Sequence, residues 1–358
     1  MSLSRGPLSP EHLLPGRGAP LHHLWPALAA CAAPLHAPHP SSFIGRRLEH
    51  LLEQLTGRPA SILMYHGVLP REVSPPLWAQ LPIDEFDAQM RFLAEHRPVV
   101  TLPQLVAALR GETTLEPGAV AITFDDGYWN VFAHALPVLA RYRLPATLFV
   151  TMGYLERLEL LWFDALYEAY AAELNAGDDI SVYAQTRALK RLPDALRRQV
   201  LLKKLAQRGI STHIQPEHPR RLMTHDELKR LHDSGLFTLG AHTMTHGLLT
   251  RMPLYQASAE IEQSRDALSS LLGQPVTLFA YPDGAHDHTV AAHVASLGFE
   301  AACSTRLGAV RPGDDLFRLH RYPVGRGMSL ARFAHMLAGL DDILARLRAA
   351  TAEGGACG

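Results

Sequence analysis

Cysteine is scarce in this 358-residue chain, and Cys31, Cys303 and Cys357 lie far apart without a Cys-x-x-Cys pair. That excludes a disulfide framework and a cysteine metal centre, and it leaves Cys303 as a small buried apolar side chain. Net charge is also nearly missing, at a formal -1. The molecule as a whole therefore has no strong electrostatic pull toward nucleic acid or an anionic membrane. No run of 18 or more apolar residues is free of Pro, His and charge, so no transmembrane helix is expected. The segment from Leu24 to Ala33 is apolar, but Pro26 interrupts it and histidines flank it. With Arg5 and Arg17 upstream it makes a poor signal-peptide core. A cytoplasmic location is expected, with a periplasmic or secreted one as the alternative. Internal repeats are lacking too.

What is present is a chain that is 47% hydrophobic and 19% charged, enough for a large core. Residues 1–42, rich in Pro, Ala and His, show no helical or strand period and are expected to pack little. A short helix from Ile44 to Leu55 leads in. Apolar strands are expected at Ser61–Tyr65, Ala119–Phe124 and Pro145–Val150, with helices at Ile83–Ala94, around Leu105 and Leu109, and at Asn130–Arg141. This alternation predicts an α/β fold with parallel strands. Residues 154–220 break the rhythm as a helical insertion, with helices over Leu161–Leu174 and Gln185–Gln207. The second is basic (Arg187, Lys190, Arg191, Arg197, Arg198, Lys203, Lys204, Arg208), with Asp194 its sole acid. The simpler expectation is a solvated helical face. The sharper one is weak contact with a membrane surface or an anionic glycan.

After the insertion the alternation resumes. A capping box, Thr224-His-Asp-Glu227, opens a helix that runs to Ser234. Strands follow at Phe237–Ala241, Val276–Ala280, Ala301–Ser304 and Leu319–Val324. Helices are expected at Leu254–Leu272, closed by Gly273, at His288–Leu297, and as an amphipathic run from Leu330 to Leu347.

Polar groups follow several of these strands. His66 ends the first, Asp125-Asp126 the second, and His242-Thr-Met-Thr-His246 and Tyr281-Pro-Asp-Gly284 two later ones. In a parallel barrel the strand C-termini share one rim, where active sites are built. Either fragment alone is weak: an Asp pair before Gly is often a turn, and this chain holds 20 histidines. Together, two imidazoles and one carboxylate make three ligands for a divalent metal and leave an open position for water. On a helical turn the His-x-x-x-His spacing would put both rings on one face. The second carboxylate is left to act as a base, because consecutive residues after a strand point in different directions.

Thr123-Phe-Asp-Asp-Gly127 and His242-Thr-Met-Thr-His246 resemble the first two motifs of the polysaccharide deacetylases, the NodB-like enzymes of carbohydrate esterase family 4. The resemblance covers roughly residues 58–326. It implies a distorted (β/α) barrel of the NodB-homology type within residues 43–350, interrupted by the helical insertion. It further implies Asp125 as catalytic base and Asp126, His242 and His246 as ligands of a divalent metal, usually Zn2+. The family's third motif carries an Arg that contacts the catalytic carboxylate. Here Ala280 of Phe279-Ala-Tyr-Pro-Asp-Gly284 stands in its place, so that contact is expected to be absent. The Asp283 region can still offer a backbone N–H to an oxyanion. This Phe-Ala-Tyr-Pro-x-Gly variant is similar to that of a subgroup linked to exopolysaccharide synthesis. The general acid would be His66, in a Tyr-His like that of the poly-N-acetylglucosamine branch, or else His320, one residue out of register with a late Leu-x-x-His motif.

The implied activity is removal of N-acetyl groups from amino sugars of a bacterial polysaccharide, with an N-acetylated glycan as substrate and no nucleic-acid partner. Its rivals are O-deacetylation or deformylation of a sugar or lipid-linked sugar, and glycan binding without catalysis. The free base counts against the last.

Overall fold

The structure is a computed structural model that describes residues 53, 57–70 and 77–344. Residues 1–42, all of the helix expected at Ile44–Leu55 except Glu53, and both Cys31 and Cys357 lie outside the described residues. Ten strands are present among the described residues: β1 (Ser61–Tyr65), β2 (Gly67–Leu69), β3 (Gln80–Pro82), β4 (Val99–Val100), β5 (Val120–Phe124), β6 (Ala146–Val150), β7 (Phe237–Ala241), β8 (Leu278–Ala280), β9 (Ala301–Cys303) and β10 (Tyr322–Pro323). Eight form one curled parallel sheet in the order β10-β1-β5-β6-β7-β8-β9, with β4 beside β5. The fold is thus the distorted (β/α) barrel type.

Residues 319–323 bring the two sheet edges together. The Leu319 N–H donates to the Ala302 carbonyl (3.0 Å) and the Ser304 N–H to the Leu319 carbonyl (2.8 Å), while Tyr322 and Pro323 pair with Leu63 and Met64 of β1. Strand residues alternate between two cores, as the two-residue period of a strand requires. Ile62, Ala121, Phe149, Ala280, Cys303 and Leu319 share one apolar cluster with Leu102, Leu105 and Leu109 of the helix Leu102–Leu109. Their neighbours Leu63, Ile122, Leu148, Phe279 and Ala302 belong to the larger cluster that packs under the helices. Gly240 is required by this packing, since a Cβ there would sit 2.6 Å from the Phe149 ring.

Several helices are shorter than their periodicity predicts. The insertion forms four: Trp162–Ala169, Ala171–Asn175, Asp179–Lys190 and Asp194–Arg208. The expected Gln185–Gln207 helix breaks at Pro193, which disfavours helical geometry at Leu192 and has no N–H to donate. The expected Asn130–Arg141 helix opens instead as a π-helical turn, Val131–Ala135, before Leu136–Tyr142, with Pro137 at the junction. The closing helix is interrupted after Leu337, ahead of Gly339 at φ 95°, residues 340–344 are helical again, and Leu347 lies outside the described residues. The capping box at Thr224 is formed, and Gly273 caps its helix at φ 68°.

The insertion packs on its own apolar cluster, which includes Trp162, Leu166, Tyr170, Leu189, Leu201 and Leu205. Its basic run is not simply a solvated face. Arg187, Arg191, Arg198 and Lys203 are exposed, but Arg197 is buried over the Trp162 ring at 4.8 Å. Arg208 lies over Tyr170 at 3.9 Å, and Lys190 turns inward. Cationic side chains are held here by aromatic faces and carboxylates, which a composition count does not register. No helix of the described residues is long and apolar enough to cross a membrane.

Candidate active site

The strand ends do converge. One cleft is lined by His66, Asp125, Asp126, His242, His246 and Asp283, with walls from Trp78, Tyr128, Phe163, Tyr167 and Lys190. His320 is not part of it. It lies beside Gly308, where a Cβ would come 3.0 Å from its Nδ1.

Asp125 and Asp126 separate sharply although adjacent. Asp126 adopts φ 78°, a left-handed conformation that turns its carboxylate away from its neighbour's. Of the eight non-glycine residues at positive φ among those described, Asp126, Thr243, His246 and Asp283 line or flank the cleft. Such conformations cost of order 1–3 kcal/mol each and persist where the surrounding structure over-determines them.

Asp126, His242 and His246 are buried and offer ligand atoms that all lie within 4.8 Å of one another. The Asp126 Oδ1 is 3.6 Å from the His242 Nε2 and 3.3 Å from the His246 Nε2. The His242 Nδ1 is 2.7 Å from the Ala280 carbonyl oxygen. A carbonyl only accepts, so Nδ1 carries the proton and Nε2 presents its lone pair inward. Burial pulls the His246 imidazole below its ordinary value, though the Asp126 carboxylate opposes this. Burial works to raise the Asp126 carboxyl, but the two imidazoles and His66 outweigh it and hold the group far below the usual carboxylate range. Both Asp126 oxygens are buried and make no hydrogen bond, a costly state that a cation would relieve. One ionised oxygen donor and two neutral nitrogen donors, closely grouped, fit a divalent metal.

The His pair is not on a helix. Residues 242–246 form an irregular turn with Thr243 at φ 66° and His246 at φ 53°. Glu260, on the helix Leu254–Leu272, pins this turn: Oε2 accepts the Met244 N–H (2.9 Å) and the Thr245 N–H (2.8 Å), and Oε1 accepts the Thr245 hydroxyl (2.7 Å). The Trp162 Nε1–H donates to the His246 carbonyl at 3.3 Å. Glu260→Gln weakens this cradle, and a metal held by the two histidines would be expected to bind roughly tenfold more weakly. A metal titration that matched the parent protein would remove Glu260 from this role.

The carboxylate of Asp125 is gripped by an arginine after all. The Arg321 Nη1–H and Nη2–H donate to Oδ1 and Oδ2, both at 2.7 Å. A further bond runs from Nη1–H to Thr123 Oγ1 at 3.1 Å, and Nε–H donates to the Ser304 carbonyl at 2.9 Å. The contact expected to vanish with Ala280 is therefore made from the segment that leads into β10. Leu319 faces the barrel interior, so Arg321, two residues on, faces it too. Burial works to raise the Asp125 carboxyl, but the charges of Arg321, His242 and His66 and the Arg321 hydrogen bonds win and hold it low.

His66 stands against the Trp78 ring, with 5.5 Å between ring centroids, and its charge influences both aspartates. Tyr128 donates to Asp164 Oδ2 at 2.6 Å, and burial pushes the Asp164 carboxyl up to about 6.

The rim of this parallel barrel gathers two differently held carboxylates and two buried imidazoles, one of them oriented by a backbone carbonyl, a set suited to hydrolysis. The family model for Polysaccharide deacetylase matches residues 112–302, more than half of the chain, and the chain belongs to that family. Deacetylation of a polysaccharide is its chemistry. It is 24% identical over 285 residues, 78% of this chain and 76% of the relative, to YxkH of Bacillus subtilis (strain 168), a proposed polysaccharide deacetylase. Similar folds include IcaB from Ammonifex degensii, with TM-score 0.56, 21% identity, and coverage of 79% of this chain and 98% of that one. The Streptococcus pyogenes deacetylase PplD in complex with acetate gives TM-score 0.55 at 19% identity, covering 78% and 98%.

Proposed function

We propose that this protein removes N-acetyl groups from amino sugars of a bacterial polysaccharide, in the setting of exopolysaccharide synthesis, and that it depends on a divalent metal, most simply Zn2+. The observation that carries this reading is the Asp125 carboxylate, held by Arg321 at 2.7 Å on each oxygen beside a separate Asp126-His242-His246 cluster. A protein that only binds glycans has no use for an ionised, oriented carboxylate next to a ligand set.

Asp126, His242 and His246 would hold the metal, which when bound lowers the pKa of a water and polarises the acetamide carbonyl. Asp125 takes the proton of the attacking water. Its low proton affinity keeps it ionised, and Arg321 aims its oxygens. A backbone N–H in the turn at Asp283 supports the oxyanion that develops on the acetyl carbonyl. His66 gives a proton to the departing sugar amine. Burial among Trp78, Phe163 and Tyr167 keeps the cleft low in dielectric and strengthens each of these electrostatic effects.

Incubating the metal-loaded protein with soluble N-acetylated oligosaccharides and identifying the released acid tests the reading. Acetate together with new free amine is expected. Formate, or acetate without free amine, would indicate deformylation or O-deacetylation. His66→Ala is expected to lower kcat by roughly 10²–10⁴-fold with metal content intact. His320→Ala should stay close to the parent rate. The reverse ranking of those two variants would exchange the roles of the histidines.

A further inference from the structure

Lys190 and Asp283 come from separate parts of the chain and meet in the cleft. Lys190 closes the helix Asp179–Lys190 of the insertion, and Asp283 is the middle residue of the turn Pro282–Gly284 that follows β8. The Lys190 Nζ donates to Asp283 Oδ1 at 2.5 Å, with the two side chains only 15% and 5% exposed. Burial draws the Lys190 ammonium below its ordinary value, but the Asp283 charge and hydrogen bond counter that.

Asp283 has φ 59° and ψ 10°, a left-handed conformation uncommon outside glycine. The turn closes on itself through the Gly284 N–H to the Tyr281 carbonyl (2.8 Å) and the Ala285 N–H to the Pro282 carbonyl (3.1 Å). The Thr305 hydroxyl donates to the Asp283 carbonyl at 3.3 Å. The turn sits so close to Thr305 that a Cβ on Gly284 would fall 2.1 Å from its Oγ1. Thr305 thus holds the carbonyl side of residue 283, and Lys190 holds its side chain.

We propose that Lys190 is a positioning residue for this turn: through the Asp283 carboxylate it keeps residue 283 left-handed, so that its backbone N–H serves as the oxyanion donor. The proposal rests on the deacetylase reading given above. The insertion then does more than wall the cleft, because its docking sets the geometry of a catalytic turn in the barrel. The physical reason is the burial of the pair. Without the ammonium, Asp283 is a desolvated carboxylate lacking this partner, and it gains by swinging to water and relaxing the strained backbone.

The test uses Lys190→Met, Lys190→Arg and the double variant Lys190→Met/Asp283→Asn in the full-length, metal-loaded protein. Two readouts are needed: acetate release from an N-acetylglucosamine tetramer, and amide hydrogen exchange of the segment holding Tyr281–Ala285. Lys190→Met is expected to lower kcat roughly 10- to 100-fold, less than complete loss of an oxyanion donor, with KM nearly unchanged. Exchange in the 281–285 segment should quicken while that of β5 stays as it was. Lys190→Arg should restore most of both. The double variant should be no slower than Lys190→Met, since the two residues act as one unit. An unchanged kcat, unchanged exchange at 281–285, or losses that multiply in the double variant would overturn the proposal. A parent protein that releases no acetate would overturn the deacetylase reading instead, and the exchange comparison would still decide the role of Lys190.

Discussion

Asp125→Asn is expected to lower kcat by roughly 10²–10⁴-fold, the span that a positioned acid or base contributes, while metal content stays at the parent level. The amide is nearly the same size and shape as the carboxylate and can accept from Arg321 through its oxygen, but its NH2 faces the second guanidinium donor and the buried Arg321 loses its countercharge, so a lower melting temperature is expected beside the lost turnover. What it cannot do is take a proton. Metal should stay because Asp125 is not among the clustered ligand atoms, which belong to Asp126, His242 and His246. His242→Ala should give the opposite signature, with bound metal falling together with activity, because it removes one of the three proposed ligands and the ring that Ala280 orients. Elemental analysis beside steady-state kinetics separates the two. A Asp125→Asn protein that turns over at nearly the parent rate would mean that some other group takes the proton.

Arg321→Met should damage both stability and chemistry. The pair is buried, with Arg321 0% and Asp125 4% exposed at the side chain. Removing one partner of such a pair costs about 3–5 kcal/mol, because the other is left as an uncompensated buried charge. Asp125 responds by holding its proton more tightly. In the parent, its folded pKa is depressed, so its contribution to stability is present above the unfolded pKa and lost as pH falls through the folded one. In Arg321→Met that contribution disappears, and Asp125, the proposed base, is protonated at a higher pH. The acid limb of the kcat/KM profile should therefore move upward, with activity lost most heavily at the acid end and partly regained in mild alkali. Arg321→Lys keeps the charge but not the two-pronged grip, and should fall between. A profile of unchanged shape would show that Arg321 does not control the protonation of Asp125.

The difference between Arg321 and the Asp and His pairs explains what the sequence could reveal. Asp125-Asp126 and His242/His246 are local, each a short fragment at the end of an apolar run, so spacing alone brings them to one rim. Even there the reason differed: the two imidazoles converge through left-handed residues at Thr243 and His246, not through a helical face. Arg321 belongs to a segment of which only Tyr322 and Pro323 pair as a strand with β1. Its inward direction follows from Leu319 bridging to β9, a long-range fact with no local signature. Lys190 was hidden differently, within a run of cations whose composition speaks for solvent. Its place in the cleft depends on the tertiary docking of the insertion. Glu260 sits in an ordinary polar helix, and nothing nearby marks it as the clamp on a distant turn. The break at Pro193, by contrast, was open to view, since proline halts a helix wherever it falls outside the first turn.

The claim that Asp125 is the base of an N-deacetylation is tested most directly by counting acetate and new free amine from one N-acetylated oligosaccharide, for the parent protein and for Asp125→Asn at matched metal content. The account predicts equal amounts of acetate and amine from the parent, and a rate at least about 100-fold lower from the variant. Acetate without amine, or a variant as fast as the parent, would contradict it.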